Sequence, residues 1–471
     1  MSSSASLDPD RARQEAVWRF LSGRIDYERA LVVPYSSRDF KLDRMRELLA
    51  RLGNPHEGMP AVHVAGTKGK GSTAAMVGAV LTASGHRSGV FTSPHLDRVE
   101  ERIAVDGEPC SGTELIELVD RLSPAVAAMD RAAAACGPPE HGPTYFEVIT
   151  AMAMLHFARR QVDAAVLEVG LGGRLDSTNV CRPLVCAITS ISFDHTRQLG
   201  NTLESIAGEK AGIVKPGVPV VSGVSDPAPR EVIRGICRQR GSRLVELGVD
   251  FNFDYRPPRN LESAPAMGSI DFHYHGPAGE FACRDVSIAL VGGHQAANAA
   301  VALAVLAELR QSGWEIPERA IRAGLSELSW PARVEVVARR PAVVIDSAHN
   351  LASVDALVRV LDESFSARRR LLLFATTQEK DVRGMLSRLL GRFDHVILTR
   401  YLNNPRFVPP EELGALAAEL TGHAFPVSQS PADAWEQVRA LAGPEDLICV
   451  TGSFFIAAEI RHLLREGLFK V

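Results

Sequence analysis

The hydrophobic positions of this chain fall into short apolar runs that alternate with stretches of helical periodicity. The helical stretches, with apolar residues three or four positions apart, include residues 73–81, 112–131 and 145–160. The apolar runs, which predict buried strands, lie near residues 62–65, 88–92, 163–169, 184–189, 341–346, 371–375, 395–399 and 447–451. Strands that alternate with helices predict an α/β fold with doubly wound parallel sheets, whose sites lie at the carboxyl ends of the strands.

Two breaks in this alternation divide the chain. Residues 250–292 carry aromatic residues between glycines and prolines, which predicts an antiparallel β excursion, and a helix follows at about 294–311. A second strand–helix series begins after the break at 328–333. We therefore expect a P-loop-type domain at 1–330 and a smaller Rossmann-like α/β domain at 335–471. Residues 1–10 are predicted to be disordered, and residues 31–36 to form a loop that borders a ligand.

Composition narrows the class of protein. The chain has 471 residues, of which 46% are hydrophobic and 23% charged, as in ordinary globular proteins, and its net charge is −4. That charge argues against nucleic-acid or anionic-membrane partners. Its 7 cysteines include no C-x-x-C pair, which favours reduced thiols. With no apolar run of about 18 residues and no secretory signal, we expect a cytoplasmic enzyme.

A glycine-rich turn between the first predicted strand and the helix that follows it is the main candidate for chemistry. Its residues are Gly66, Thr67, Lys68, Gly69, Lys70, Gly71 and Ser72. Glycines let backbone N–H groups face an anion, the helix N-terminus adds partial positive charge, and Lys70 adds a full charge. The spacing is shorter than that of the common G-x-x-x-x-G-K-[ST] motif. A glycine-rich turn with a surface lysine is the alternative.

Other polar residues follow the next strands. Ser93, Glu168 and His195 stand at predicted strand ends, where hard oxygen ligands and a histidine would suit the Mg²⁺ that accompanies a triphosphate. The alternatives are an ion pair between Glu168 and Arg174 and, for His195, an ordinary core histidine with hydrogen bonds. Lys210 lies in a helical stretch, and from the residues alone a solvated surface lysine is the favoured interpretation.

The second domain adds candidates for nucleotide binding. Asp346, at a strand-to-helix turn, is suited to accept ribose hydroxyls, and Arg333, at the linker, to bind the γ-phosphate. Asn298 lies in the first turn of the helix near 294. A cap, a linker ion pair and an ordinary helix start are the alternatives for the three. Together they indicate a nucleotide held between two domains.

Nine motifs in a fixed order give the chain a family resemblance. They are Gly66–Ser72, Thr92–Leu96, Glu168–Gly173, Asp176–Asn179, Asp194–His195, Glu209–Ile213, His294–Gln295 with Asn298, Trp330–Arg333 and Asp346–Asn350. The sequence resembles folylpolyglutamate synthase and dihydrofolate synthase, within the Mur ligase superfamily, from about residue 25 to Ser453. Lys68 stands where many members have asparagine, and Leu351 where a proline is common.

The resemblance implies an ATP-dependent amide ligase. A folate carboxylate, or that of dihydropteroate, takes the γ-phosphate of ATP and becomes an acyl phosphate, which the amino group of L-glutamate attacks. The resemblance also implies two Mg²⁺ ions and a monomer.

The resemblance further assigns residues to these roles. Ser93 and Glu168 would bind one Mg²⁺, and Glu168, His195 and a carbamylated Lys210 the second. The catalytic set is then Lys70, Glu168, His195 and Lys210. ATP contacts would come from the phosphate loop, Thr67–Ser72, and from Asn298, Arg333, Asp346 and His349. The pterin-pocket segments would be Thr144, Tyr145, Phe146 and Glu147, with Leu175, Asp176 and Ser177.

Two other functions stay open at this point. A different Mur-type ligase would act on a cell-wall precursor, but such enzymes usually carry a separate N-terminal substrate domain, and only about sixty residues precede the phosphate loop here. A P-loop ATPase without ligase activity, or a nucleotide-gated binding protein, would turn over nucleotide without an amino-acid acceptor.

Overall fold

The computed structural model describes residues 9–28, 42–137, 141–276 and 279–467 of the protein. The chain divides into two compact units. The first runs to Val245 and includes Glu308–Glu315, and the second comprises Glu246–Ala307 and the chain from Ile316 onward. The loop predicted at residues 31–36, and residues 1–8 of the stretch predicted to be disordered, lie outside the described residues.

The first unit is built on a mainly parallel sheet. Its described strands are β1 (Ala61–Ala65), β2 (Ser88–Phe91), β3 (Ile103–Val105), β4 (Glu108–Pro109), β5 (Ala164–Glu168), β6 (Pro183–Ile188), β7 (Val220–Ser222) and β8 (Leu244–Glu246). The strand order is β4-β3-β2-β5-β1-β6-β7-β8. Strands β2, β5, β1, β6 and β7 run parallel, and β3 and β4 add an antiparallel edge. The ends of β1, β2, β5 and β6 therefore share one edge of the sheet.

Helices of the first unit follow the strands. They are α1 (Pro9–Ser22), α2 (Leu42–Arg51), α3 (Lys70–Ala83), α4 (Gly112–Cys136), α5 (Tyr145–Arg159), α6 (Thr196–Leu199), α7 (Leu203–Ala211) and α8 (Pro227–Arg240). Capping boxes fix the starts of α4, at Ser111 and Glu114, and of α5, at Thr144 and Glu147. Helix α3 begins at Lys70, three residues earlier than its apolar residues indicate, because Gly69 makes the turn at a φ of 83°.

The second unit contains the predicted β excursion. Strands β9 (Phe251–Arg256), β10 (Gly268–Tyr274) and β11 (Phe281–Ile288) pair antiparallel in the order β11-β10-β9. Alternate residues of β10 are buried, as expected for a sheet with one face on a core. The helices α9 (Gly293–Gln311) and α10 (Glu318–Ser326) follow.

A second parallel sheet completes this unit. Its elements are β12 (Glu335–Arg339), β13 (Ala342–Ile345), α11 (Leu351–Ser364), β14 (Arg370–Phe374), α12 (Val382–Leu389), β15 (His395–Leu398), α13 (Pro410–Thr421), α14 (Pro431–Leu441), β16 (Leu447–Thr451) and α15 (Phe454–Arg465). The strand order is β12-β13-β16-β14-β15, in which only β12, among the described strands, runs antiparallel to its neighbour. The predicted Rossmann-like architecture is confirmed. The division at residues 330–335 stays a prediction.

Candidate functional site

The phosphate loop is held in place by the chain that leaves β6. Gly66 has a φ of 150°, and a Cβ there would overlap the side-chain oxygen of Thr189. Thr189 Oγ1 donates to the carbonyl of Lys68 at 2.6 Å, and the Thr67 N–H donates to the carbonyl of Ser190 at 2.7 Å. Loop and strand exit therefore form one hydrogen-bonded structure.

The end of this loop is the start of α3, and its charge suits an anion. Lys70 is the first residue of the helix, and the first turn contains no acidic residue. The N–H groups of that turn have no partner within the helix, so the N-terminus carries partial positive charge. Thus Lys70 lies at the start of α3, and binding of phosphate there stays a prediction.

The predicted strand-end residues of β2 and β5 lie together beside Lys70. Glu168, the last residue of β5, is only 4% exposed, and its Oε2 accepts the N–H of Ser93 at 3.0 Å. Lys70 Nζ lies 4.0 Å from Glu168 Oε1. Arg174, proposed above as an alternative partner of Glu168, forms its ion pair with Glu209 at 2.8 Å. A buried carboxylate, a serine and the phosphate-loop lysine thus converge at one point.

His195 lies in a tight turn after β6. Its φ is 49°, in the left-handed region, and its N–H donates to Oδ1 of Asp194 at 3.0 Å. Asp194 also accepts from Lys68 Nζ at 2.8 Å, through Oδ2. The His195 side chain is 42% exposed, so the interpretation of a core histidine is wrong. The turn is tied to the phosphate loop through Asp194.

Lys210 is buried, which overturns the interpretation of a solvated surface lysine. The residue is 5% exposed near the end of α7, and its Nζ donates to the carbonyl of Gly66 at 2.8 Å. Burial, with Lys70 nearby, lowers the pKa of Lys210 to about 7. The Lys210 side chain therefore contacts the phosphate loop at Gly66, and its ammonium loses its proton near neutral pH.

The first predicted pterin-pocket segment begins α5. Glu147 accepts the N–H and the hydroxyl of Thr144 and forms a buried ion pair with Arg44, Nε to Oε2, at 2.8 Å. Phe146 is partly exposed and lies against Phe91, with ring centroids 5.9 Å apart. Thr144 and Glu147 thus fix the start of α5. Phe146 is the residue of this segment whose side chain is partly exposed and available for contact with a substrate.

The second segment, residues 175–177, is fixed by a hydrogen-bond relay from β1. Thr178 Oγ1 donates to Asp176 Oδ1 at 2.5 Å and lies 2.8 Å from Nε2 of His63. Because the hydroxyl proton goes to Asp176, we assign the proton on His63 to Nε2. Burial, with Lys215 nearby, lowers the pKa of His63 to about 3, so the ring stays neutral. Asp176 is buried, while Leu175 and Ser177 are partly exposed.

In the second unit, Asp346 and Arg333 lie close to each other. Asp346, just after β13, is buried and accepts the N–H groups of Val334 and Ala348 at 2.9 and 2.8 Å. Burial raises the pKa of the Asp346 carboxyl, and the Arg333 charge opposes this. Arg333 donates to the Ser347 hydroxyl and lies 5.9 Å from the ring centre of Phe454. Asp346 therefore shapes the linker and the turn after β13.

Three further polar residues complete this part of the second unit. Asn298 Nδ2 donates to Oε1 of Gln295 at 3.0 Å on α9. His349 Nδ1 lies 2.9 Å from the Ser347 carbonyl, so we assign its proton to Nδ1. Desolvation, with Arg333 and Arg359 nearby, lowers the pKa of His294 to about 4. Arg333, Asp346 and His349 thus lie together around Ser347, in the turn after β13.

Comparisons with known proteins identify the family of the chain. The Mur ligase middle domain family matches residues 64–306, and the Mur ligase glutamate ligase domain family matches residues 332–454. The chain is 36% identical over 427 residues to dihydrofolate synthase/folylpolyglutamate synthase of Bacillus subtilis, covering 90% of this chain and 95% of that protein. The chain belongs to the folylpolyglutamate synthase/dihydrofolate synthase family.

Two further relatives support this assignment. Folylpolyglutamate synthase of Lacticaseibacillus casei is 34% identical, with 90% of this chain and 94% of that protein covered. The solved structure of Mycobacterium tuberculosis folylpolyglutamate synthase complexed with ADP has a TM-score of 0.86 and 32% identity, covering 96% of this chain and 98% of that one. The predicted ATP-dependent folate–glutamate ligase is confirmed, and it is favoured over a cell-wall ligase.

Several residues of the candidate site in this synthase-family chain are not predicted from its sequence. The sequence places Asp194 in a motif with His195 but indicates no role for it, whereas in the structure its carboxylate joins the phosphate loop to His195. Thr189 and His63 were not singled out, because a threonine and a histidine in apolar strands look like core residues. The one local signal at Thr189 is that it is a polar residue at the end of an apolar run, directly after Ile188.

The described residues also bear on metals and membranes. They contain no cluster of three or more His, Cys, Asp or Glu side chains that could hold a metal ion. The metal set predicted for this family member, Ser93, Glu168, His195 and a modified Lys210, has only two residues of those types. Of the helices in the described part of the chain, none combines the length and apolar character needed to cross a bilayer.

Proposed function

We propose that this ligase binds ATP on its phosphate loop with Mg²⁺ beside it and attaches L-glutamate both to folates and to dihydropteroate. The observation that supports this most is the convergence of Lys70, Glu168 and Ser93 at the sheet edge where α3 begins. A triphosphate needs cations on its terminal oxygens, and this arrangement offers a lysine and a helix N-terminus next to oxygen ligands for a metal.

The reaction follows from the need to give a carboxylate a leaving group. The substrate carboxylate attacks the γ-phosphorus of ATP, the bond to the β-phosphate oxygen breaks, and ADP and an acyl phosphate form. The neutral amine of L-glutamate then attacks the acyl carbon, phosphate leaves, and the amine gives up a proton as the amide forms. Lys70 and the N–H groups of α3 stabilise negative charge that moves from the γ- to the β-phosphate.

The donors near Glu168 fit a hard divalent cation. A carboxylate that is 4% exposed is costly to bury without positive charge beside it, and Lys70, at 4.0 Å, is too far away to donate a hydrogen bond to it. We propose that Ser93 and Glu168 hold one Mg²⁺ and that Glu168 and His195 hold a second. Bound there with ATP, Mg²⁺ would neutralise phosphate charge.

Lys210 is the proposed site of a carbamate. A neutral lysine amine adds to CO₂, forming an N–C bond and releasing one proton, and the product is a carboxylate on a longer stem. The lowered pKa of Lys210, about 7, supports this, because the reactive amine is then abundant at neutral pH. The carbamate would add an oxygen ligand for the second Mg²⁺.

Substrate contacts are proposed for the partly exposed members of the pterin segments, Phe146, Leu175 and Ser177. Thr144, Glu147 and Asp176 support them through buried hydrogen bonds, and Tyr145 packs under the Arg102 guanidinium at 5.4 Å. Asn298, Arg333, Asp346 and His349 stay predictions for ATP contacts. A monomeric state and a cytoplasmic location also stay predictions.

The test is mass spectrometry of products made with ATP, Mg²⁺ and L-glutamate from tetrahydrofolate in one reaction and from dihydropteroate in another. We expect one or more added glutamates in the first and dihydrofolate in the second. Lys70→Ala is the control and should form neither. Product from tetrahydrofolate alone would limit the activity to chain extension, while ATP hydrolysis without any glutamylated product would refute the proposal.

A further inference from the structure

The side chain of Lys68 sits where the phosphate loop meets the turn that carries His195. We propose that Lys68 is a positioning residue: its ammonium holds Asp194, and Asp194 holds the His195 turn, so that the turn is ordered before nucleotide arrives. The inference rests on the proposed function only in taking His195 as a metal ligand.

The ion pair itself is short and partly shielded from solvent. Lys68 Nζ and Asp194 Oδ2 are 2.8 Å apart, and their side chains are 26% and 8% exposed. Two flexible, fully exposed side chains would gain little from such a contact, since water and salt screen it. Here the carboxylate is nearly buried, so losing the Lys68 ammonium, its partner at 2.8 Å, leaves a less well compensated charge. The contact therefore constrains both segments.

The lysine stem starts from a fixed point. The Lys68 N–H donates to the Ser190 hydroxyl at 3.0 Å, and the Lys68 carbonyl accepts from Thr189 Oγ1 at 2.6 Å and from Ser190 Oγ at 3.1 Å. Because this backbone is held at both its N–H and its carbonyl, the side chain extends from a defined position. Its ammonium can therefore set where Asp194 lies.

Asp194 passes this constraint to His195. Its Oδ1 accepts the His195 N–H at 3.0 Å, while its Oδ2 is engaged by Lys68. His195 has a φ of 49°, in the left-handed region that non-glycine residues adopt only at an energetic cost, so contacts from outside the turn help to hold it there. The His195 carbonyl then accepts the Leu199 N–H at 2.9 Å and starts α6. The ion pair between Lys68 and Asp194, which we call the tether, thus orders the turn and the short helix α6 that follows it.

The alternative role for Lys68 is direct binding of phosphate, as its place in the loop allows. The two roles differ in what a substitution should change. A phosphate ligand affects nucleotide affinity even without metal, whereas a tether affects the order of residues 194–199 and metal affinity. Separate measurements of these quantities distinguish the two.

The experiment compares Lys68→Met, Lys68→Arg, Asp194→Asn and the Lys68→Met/Asp194→Asn double variant with wild type. Hydrogen exchange of residues 194–199 is measured without nucleotide or metal, Mn²⁺ binding by electron paramagnetic resonance with ADP present, and ADP affinity in EDTA. Arg197→Met, which removes an exposed cation from the same segment, is the matched control.

Lys68→Met and Asp194→Asn should each speed exchange at residues 194–199 and weaken Mn²⁺ binding about fivefold, the worth of a modest ion pair. In the double variant, exchange at residues 194–199 should be no faster and Mn²⁺ affinity no weaker than in either single variant. Lys68→Arg should be close to wild type in both quantities, because arginine keeps the positive charge, and Arg197→Met should match wild type. ADP affinity in EDTA should stay within about twofold.

Unchanged exchange in Lys68→Met would overturn the inference, and so would weaker ADP binding in EDTA with unchanged Mn²⁺ affinity, which identifies a phosphate ligand. These results are separate from the proposed function. A wild-type protein that forms no glutamylated product refutes the proposed function, and the exchange comparison still decides whether Lys68 is a tether.

Discussion

At the scale of single residues, Lys210 shows how burial turns an ordinary side chain into a reactive one. An ammonium loses much hydration energy when it leaves water, and at Lys210 a second cation, Lys70, adds repulsion. The carbonyl of Gly66, at 2.8 Å, and the negative charges of Asp194 and Asp176 compensate this loss only in part. The pKa of Lys210 is therefore about 7, so the neutral amine makes up about half of the population near pH 7, where an ordinary lysine is almost fully protonated.

The sign of the pH effect on Lys210 follows directly. An amine with a pKa of about 7 is mostly protonated below that pH and mostly neutral above it, and only the neutral form adds CO₂. With ¹³C-bicarbonate, we predict a carbamate signal in the ¹³C nuclear magnetic resonance spectrum of the protein at pH 8 that declines as the pH falls through 7.

The controls for this experiment are two lysines close in sequence. Lys210→Met should abolish the signal, whereas Lys215→Met should keep it, because the ammonium of Lys215 is held by the carbonyl and side-chain oxygens of Asn179 at 2.8 and 2.7 Å. A signal that survives in Lys210→Met would assign the carbamate elsewhere.

Lys210 also marks a limit of sequence interpretation at this scale. Its neighbours in α7 are mixed in polarity, so nothing local distinguishes it from a surface lysine. Its burial depends on packing against Gly66, which is 144 residues away. Glu168 was easier to predict, because a carboxylate within an apolar strand is unusual without a partner. Only the family resemblance indicated a special role for Lys210.

At the scale of elements, the phosphate loop depends on the strand beside it. The loop follows β1, and the chain leaving β6 supplies Thr189 and Ser190, which bond the loop backbone. The order strand, glycine turn, helix was predictable because apolar runs and glycines are local signals. The bonds from Thr189 were not, since they depend on which strand pairs with β1, and that is set by the whole sheet.

Gly66→Ala should therefore weaken nucleotide binding by more than the backbone strain at a φ of 150° would cause on its own. A methyl group there would overlap the Thr189 hydroxyl and approach the Ser190 nitrogen, so the bonds that hold the loop must shift. We expect a loss of ADP affinity of at least about tenfold, as for other misplaced binding groups, measured by isothermal titration calorimetry.

Gly85→Ala provides the matched control, because Gly85 also has a positive φ, 90°, yet a Cβ there meets nothing within 4 Å. It carries the same kind of backbone strain without the overlap. Equal losses of ADP affinity in the two variants would mean that strain, and not contact with Thr189, explains the effect at Gly66.

At the scale of the whole molecule, the β excursion contributes to a core that its sequence did not reveal. Leu261, between β9 and β10, and Val291, after β11, are buried in one hydrophobic cluster with residues of β13 and α11, such as Val344 and Leu357. The Leu261 N–H also donates to the Ser364 carbonyl at the end of α11, at 3.0 Å. The composition shift at residues 250–292 located the excursion, but it gave no sign of which core the excursion joins.

Leu261→Ala tests this arrangement. Removing a buried leucine side chain leaves a cavity and should lower the stability of the surrounding core by about 2–5 kcal/mol. Hydrogen exchange should show lost protection in α11 and β14, with α3 and α5 unchanged, because the two pairs of elements belong to different compact units. Met267→Ala, in the same excursion but 52% exposed, should leave every element protected. If Leu261→Ala altered α3 and α5 as much as α11, or no more than Met267→Ala does, the excursion would not belong to the core of the second unit.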